Sequence, residues 1–132
     1  MNKFVKIIYE DKDLIVIVKS EGILSMASAP GQYCVKTILD EYFKSRHFPC
    51  TAHVVHRLDK ETSGLMVYAK NMEIRKMFEA DWHNIVFDRR YVAVMPEKLD
   101  ITAMKLAARE LCGEHDFSAF CGNPKFKKIL IR

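Results

Sequence analysis

Apolar positions along the chain follow two periods. Phe4 to Tyr9 and Leu14 to Val18 are rich in β-branched residues and predict two strands, joined by the polar turn Glu10-Asp11-Lys12-Asp13. The unbroken LIVIV run predicts a strand covered on both faces. Residues 19–34 hold Gly22, Pro30 and Gly31, show no period and read as loop. Val35, Ile38, Leu39, Tyr42 and Phe43 repeat at helical spacing and predict a helix over Val35 to Arg46, with Pro49 beyond its end. Thr51 to Val55 and Leu65 to Ala69 read as short strands on either side of a polar stretch, His56 to Gly64. Glu73 to Asn84 reads as a helix with an apolar stripe of Ile74, Met77, Phe78 and Trp82, and Arg89 to Met95 as an alternating strand. After Pro96 the text changes. Asp100 is a candidate N-cap for a helix from Ile101 to Cys112, Gly113 its stop, and Phe126 to Ile131 a last strand. Strands and helices mix without strict βαβ alternation. The expected class is α+β, a mixed, mainly antiparallel sheet with flanking helices.

Composition narrows this picture. The length, 132 residues, suits one domain or one domain with an appendage, and 49% apolar content excludes wholesale disorder. The formal net charge is +4, and its excess is uneven. Residues 1–97 carry 14 basic and 13 acidic groups; residues 98–132 carry 7 and 4. That balance permits nucleic-acid contact without demonstrating it. Cys34, Cys50, Cys112 and Cys121 form no CxxC pair, which argues against a zinc or redox motif. The N-terminal text lacks a secretory apolar region, and no apolar run approaches the ~20 residues of a membrane span. The expectation is a cytoplasmic protein without a membrane partner.

The polar stretch His56-Arg57-Leu58-Asp59-Lys60-Glu61-Thr62-Ser63-Gly64 carries the candidate chemistry. One carboxylate, Asp59, stands between basic neighbours, which favours its ionised form. An ionised carboxylate on a loop between strands can serve as nucleophile or general base. The same residues also suit a solvated turn, with Asp59 or Thr62 capping local amides. Tyr91 equally suits a packed sheet residue, and Arg57 a surface ion pair with Glu61 or Asp59.

The segment HRLDKETSGLMVYAK, residues 56–70, resembles the HRLDxxTSGL signature of the pseudouridine synthases, in their ribosomal large-subunit (RluA-type) branch. The resemblance covers residues 6–97, from YEDKDLIVIVKSEGILS to DRRYVAV. It implies a pseudouridine-synthase-like core that isomerises uridine in structured RNA, with no cofactor and no metal. It also implies roles. Asp59 is the nucleophile, Arg57 fills the space left by a flipped uridine, and Tyr91 lies against the extruded base. His56 and Thr62 belong to the same signature as candidate RNA contacts, His56 more as a structural member. Such an enzyme must flip its nucleotide, since the glycosidic bond is out of reach inside a helix.

Two departures go with the resemblance. Lys19-Ser20 stands where the family has Lys-Pro, which predicts a looser following loop. Residues 99–132, through a helix and GEHDFSAF, resemble a C-terminal-half segment of the tRNA pseudouridine synthase A (TruA) branch. The chain thus reads as two parts, 1–97 and 98–132, and as a truncated form of the catalytic domain. Ribosomal and transfer RNA are both candidate partners. Lys125, Lys127, Lys128 and Arg132 are candidate phosphate contacts, a solvated tail being the alternative. An inactive RNA-binding fragment or hybrid remnant is the alternative function.

Overall fold

A computed structural model describes residues 2–116 and 129–131. The chain divides into two units, residues 1–89 and 90–132. In the first unit β1 (Val5–Glu10) and β2 (Leu14–Lys19) form an antiparallel hairpin. Asp11 turns the chain: its Oδ1 accepts from the amides of Asp13 (2.8 Å) and Leu14 (2.7 Å). This local bonding is what suits aspartate to a turn. β4 (Gly64–Ala69) runs antiparallel along all of β2, from Leu14 opposite Ala69 to Lys19 opposite Gly64. β3 (His53–Val54) pairs antiparallel with the end of β4, giving the order β1-β2-β4-β3. The expected antiparallel character of the sheet is present in every ladder.

α1 (Val35–Ser45) covers one face of this sheet. Its buried Val35, Ile38, Leu39 and Phe43 join Ile15, Ile17, Met66 and Tyr68 in one core. Burying each aliphatic or aromatic side chain of that size stabilises the fold by roughly 1.5–3 kcal/mol. Thr37 closes the first turn, accepting from the Cys34 amide (3.0 Å) and donating to the Cys34 carbonyl (2.7 Å). At the other end His47 adopts a φ of 57°, and the Phe48 amide returns to the Phe43 carbonyl (2.9 Å). That six-to-one bond is a helix stop. Asp40 Oδ1 accepts from the Ala52 amide (2.7 Å), tying the approach to β3 onto α1.

The pattern-based expectations need four corrections. β2 is not covered on both faces: Ile15 and Ile17 are buried, whereas Leu14, Val16 and Val18 are half-buried. Only one face carries α1, so the run alternates after all. The helix expected over 73–84 is two helices, α2 (Met72–Ala80) and α3 (Trp82–Ile85). Asp81 leaves the helical region between them (φ −137°, ψ 39°), and its Oδ1 accepts from Asn84 Nδ2 at 2.6 Å. The strand expected over Arg89 to Met95 is absent, and residues 87–95 form no regular element. Val92 and Val94 are 97% and 95% exposed. A strand exists only where a partner completes its ladder, and β propensity alone does not supply one. The loop expected to loosen after Lys19 is tied down instead. The Ser20 amide donates to the Phe4 carbonyl (2.9 Å), a bond that proline at this position could not make.

The second unit holds α4 (Ile101–Glu110) and a two-stranded ladder, β5 (Gly113–His115) with β6 (Ile129–Ile131). Asp100 caps α4 as expected, accepting from the amides of Thr102 (2.8 Å) and Ala103 (3.3 Å). α4 ends two residues short of Cys112, and Gly113, at φ +108°, opens β5. None of its side chains is buried. Of the expected last strand, residues 126–128 lie outside the described residues. Among the described residues no helix is long and apolar enough to cross a membrane.

Candidate active site

Residues 55–63 join β3 to β4 and carry Asp59. They meet the loop that follows β2. Ser25 Oγ donates to the Leu58 carbonyl (2.6 Å) and accepts from the Leu58 amide (3.1 Å). Ser25 is 3% exposed, so this two-way bond is made in a dry setting where polar groups need partners. Its own carbonyl accepts from the hydroxyl of buried Tyr68 (2.8 Å), and burial pushes that phenol up.

On the other side of Asp59, the Lys60 carbonyl accepts twice. One donor is the Gly22 amide (2.8 Å), the other Lys19 Nζ (3.1 Å). Gly22 sits at φ +84°, a conformation that L side chains resist. Lys19 is wholly buried at the end of β2, where its ammonium also donates to the Ile23 and Ser20 carbonyls, both at 2.9 Å. Burial pulls that ammonium below the usual lysine range, while the charges of Glu61 and Asp59 favour it. The Thr62 amide closes the turn on the Asp59 carbonyl (3.2 Å). Both backbone neighbours of Asp59 are therefore fixed. Its own carboxylate is exposed and makes no hydrogen bond or ion pair among the described residues.

His56 anchors the start of the loop. Its Nε2 accepts from the Val67 amide of β4 (3.0 Å), so the neutral ring carries its proton on Nδ1. The ring packs on Trp82 with centroids 5.1 Å apart, and Arg89 lies over the same indole at 5.8 Å. Burial first, and the Arg89 charge second, hold the imidazole below the usual histidine range.

The first unit thus gathers His56, Arg57, Asp59 and Thr62 on one loop. Arg57 is exposed, and the alternative reading of it, an ion pair with Asp59 or Glu61, is not formed. Both partners face water, where such a pair gains little. Tyr91 belongs to the second unit and is 70% exposed on an irregular segment, not in a strand. Lys125, Lys127, Lys128 and Arg132 lie outside the described residues. Among the described residues no group of three His, Cys, Asp or Glu side chains is placed to hold a metal ion. Sequence patterns missed Lys19 and Ser25. A lysine closing an apolar strand and a serine in an aperiodic loop carry no local signal, although a charged residue ending the LIVIV run invited a search for its partners.

The chain is similar to known proteins. A family model described as RNA pseudouridylate synthase matches residues 13–126. Ribosomal large subunit pseudouridine synthase D of Buchnera aphidicola is 41% identical over 73 residues, 54% of this chain and 23% of that protein. The bovine mitochondrial pseudouridylate synthase RPUSD4 is 34% identical over 91 residues, 67% of this chain and 24% of that protein. The solved structure of human RNA Pseudouridylate Synthase Domain Containing 4 superposes with a TM-score of 0.50 at 32% identity, covering 59% of this chain and 29% of that one. The chain spans about a quarter of the length of these relatives. The family match takes in the Asp59 loop, both strands that carry it and the buried Lys19 and Ser25 that clamp it, and by it the chain belongs to the RNA pseudouridylate synthase family.

Proposed function

We propose that the chain acts on RNA as a pseudouridine synthase, with Asp59 as its nucleophile. The reaction breaks the C1′–N1 bond of a uridine and forms a C1′–C5 bond. C5 loses a proton and N1 gains one, so atoms balance without an oxidant, a reductant or a cofactor. Asp59 attacks or stabilises the sugar while the base is free to turn. The observation that carries this reading is the geometry beside Asp59: Leu58 and Lys60 are pinned by Ser25, Lys19 and Gly22, while the carboxylate itself is open. A group held by its neighbours and left accessible meets its substrate without a reorganisation cost. Arg57, adjacent and exposed, fills the gap in the flipped stack, and Tyr91 supplies an aromatic face for the base. His56 and Thr62 hold the loop's two ends.

The names of the relatives favour ribosomal RNA as the substrate. Transfer RNA rests on the TruA-like resemblance of residues 99–132 alone, a segment that the family match also enters, up to residue 126. The test is tritium release from RNA bearing 5-tritiated uridine. Wild type releases tritium, and Asp59→Ala releases none above background. Equal release from both removes the catalytic role. A second reading, RNA binding without turnover, is favoured by residues 91–95, which are exposed and form no regular element. It is separated by salt-dependent filter binding in the absence of tritium release.

A further inference from the structure

Beside the Asp59 loop lies a cleft of about 410 Å³, lined by residues of α1, β3, the loop and α2. Lys36 enters it from the first turn of α1, His53 from β3, Arg57 from the loop and Arg75 from α2. Val54 and Val55 supply apolar wall. Two carboxylates stand near these cations. Lys36 pairs with Asp40 on its own helix, and Arg75 reaches Glu79 through Nε (2.9 Å) and Nη2 (2.6 Å). Both are part-exposed pairs one helical turn apart, which are worth little in water and yield readily to a better anion. Asp40 is committed elsewhere, since its second oxygen accepts from the Ala52 amide (2.7 Å). Arg57 has no ion-pair partner among the described residues.

His53 reports the field that results. Its affinity for a proton is lowered by burial first, then by Lys36 and Arg75, with Asp40 acting in the opposite sense. The charges of two separate helices therefore converge on one imidazole at the edge of the sheet. A planar guanidinium and a compact ammonium together suit phosphate oxygens. The cleft also runs up to Arg57, two residues from Asp59.

We propose that this cleft seats phosphodiesters of a single-stranded RNA segment flanking the uridine that Asp59 addresses. The proposal rests on reading the Asp59 loop as the site of uridine chemistry, and its test keeps the two apart.

The probe is hexauridylate, bound to the whole chain across a salt series. Replacing both cations (Lys36→Gln with Arg75→Gln) is expected to weaken binding roughly tenfold and to lower the salt slope by about 1.4, the loss of two single-strand phosphate contacts. The charge-keeping pair Lys36→Arg with Arg75→Lys retains wild-type slope, which separates a lost contact from a damaged fold. In the second arm His53 is titrated by NMR with and without the RNA. Bound phosphate raises its apparent pKa in wild type and not in the double glutamine variant. Unchanged slope in the glutamine variant, no binding by wild type at low salt, or an equal His53 shift from inorganic phosphate at the same concentration overturns the proposal. Tritium release by wild type separates the readings. No release, together with weaker binding by the glutamine variant, keeps the cleft and removes catalysis. Tritium release with an unchanged slope does the reverse.

Discussion

Ser25 shows how one hydroxyl can decide the order of a loop. It donates to one end of Leu58 and accepts from the other, and is itself buried. Ser25→Ala strands both groups, and a buried polar group left unpaired costs about 1–3 kcal/mol. Urea unfolding of the variant is expected to show a loss in that range, with tritium release falling further than stability accounts for. His56 gives a pH dependence of definite sign. Neutral, it accepts from the Val67 amide; protonated, it has no lone pair to offer. Its folded pKa lies below the ordinary histidine value of about 6.5. As pH falls through that value the unfolded chain binds the proton first, so stability declines until the folded imidazole protonates too. The urea midpoint is expected to drop as pH falls from neutrality through the ordinary histidine value of about 6.5. His56→Gln reduces that drop and leaves the part due to His53, whose shift has the same sign.

At the scale of elements, the helix ends are set by single side chains. Asn71 caps α2 by accepting from the Ile74 amide (2.9 Å). Asn71→Ala is expected to lower stability by about 1 kcal/mol in urea unfolding, with no change in RNA affinity. Elements with a strong internal period were legible in the sequence. β1, β2, β4 and α1 lie within a residue or two of their expected bounds, because each buries the face its own pattern defines. Arg89 to Met95 was not legible, because a strand is made by its neighbour and Val92 and Val94 have none in the described structure. The Asp59 loop could be read from its local residues. Its clamps could not, since Lys19 and Ser25 act across separations of 41 and 33 residues and leave no mark on local periodicity.

For the whole molecule, the two units differ in how much they bury. The core of the first unit runs through β2, β4 and α1, whereas no side chain of α4 is buried. Native-state hydrogen exchange is expected to be slowest in β2 and β4 and fast throughout α4, since local opening is easiest where few apolar contacts are lost. Equal protection in both would contradict this. The long reach of the loop clamps also sets a sequence of events in time. Residues near Asp59 along the chain do not suffice to fix its loop, because the partners of Leu58 and Lys60 are Lys19 at the end of β2 and Gly22 and Ser25 in the segment after it. Those partners come into place when β4 docks on β2, after the entropy of closing a loop that long has been overcome. The setting of Asp59 is thus a late product of folding. Ser25→Ala is expected to speed unfolding and leave the refolding rate near wild type, a φ-value close to zero. A nascent chain halted before β4 emerges carries Asp59 on an unformed turn.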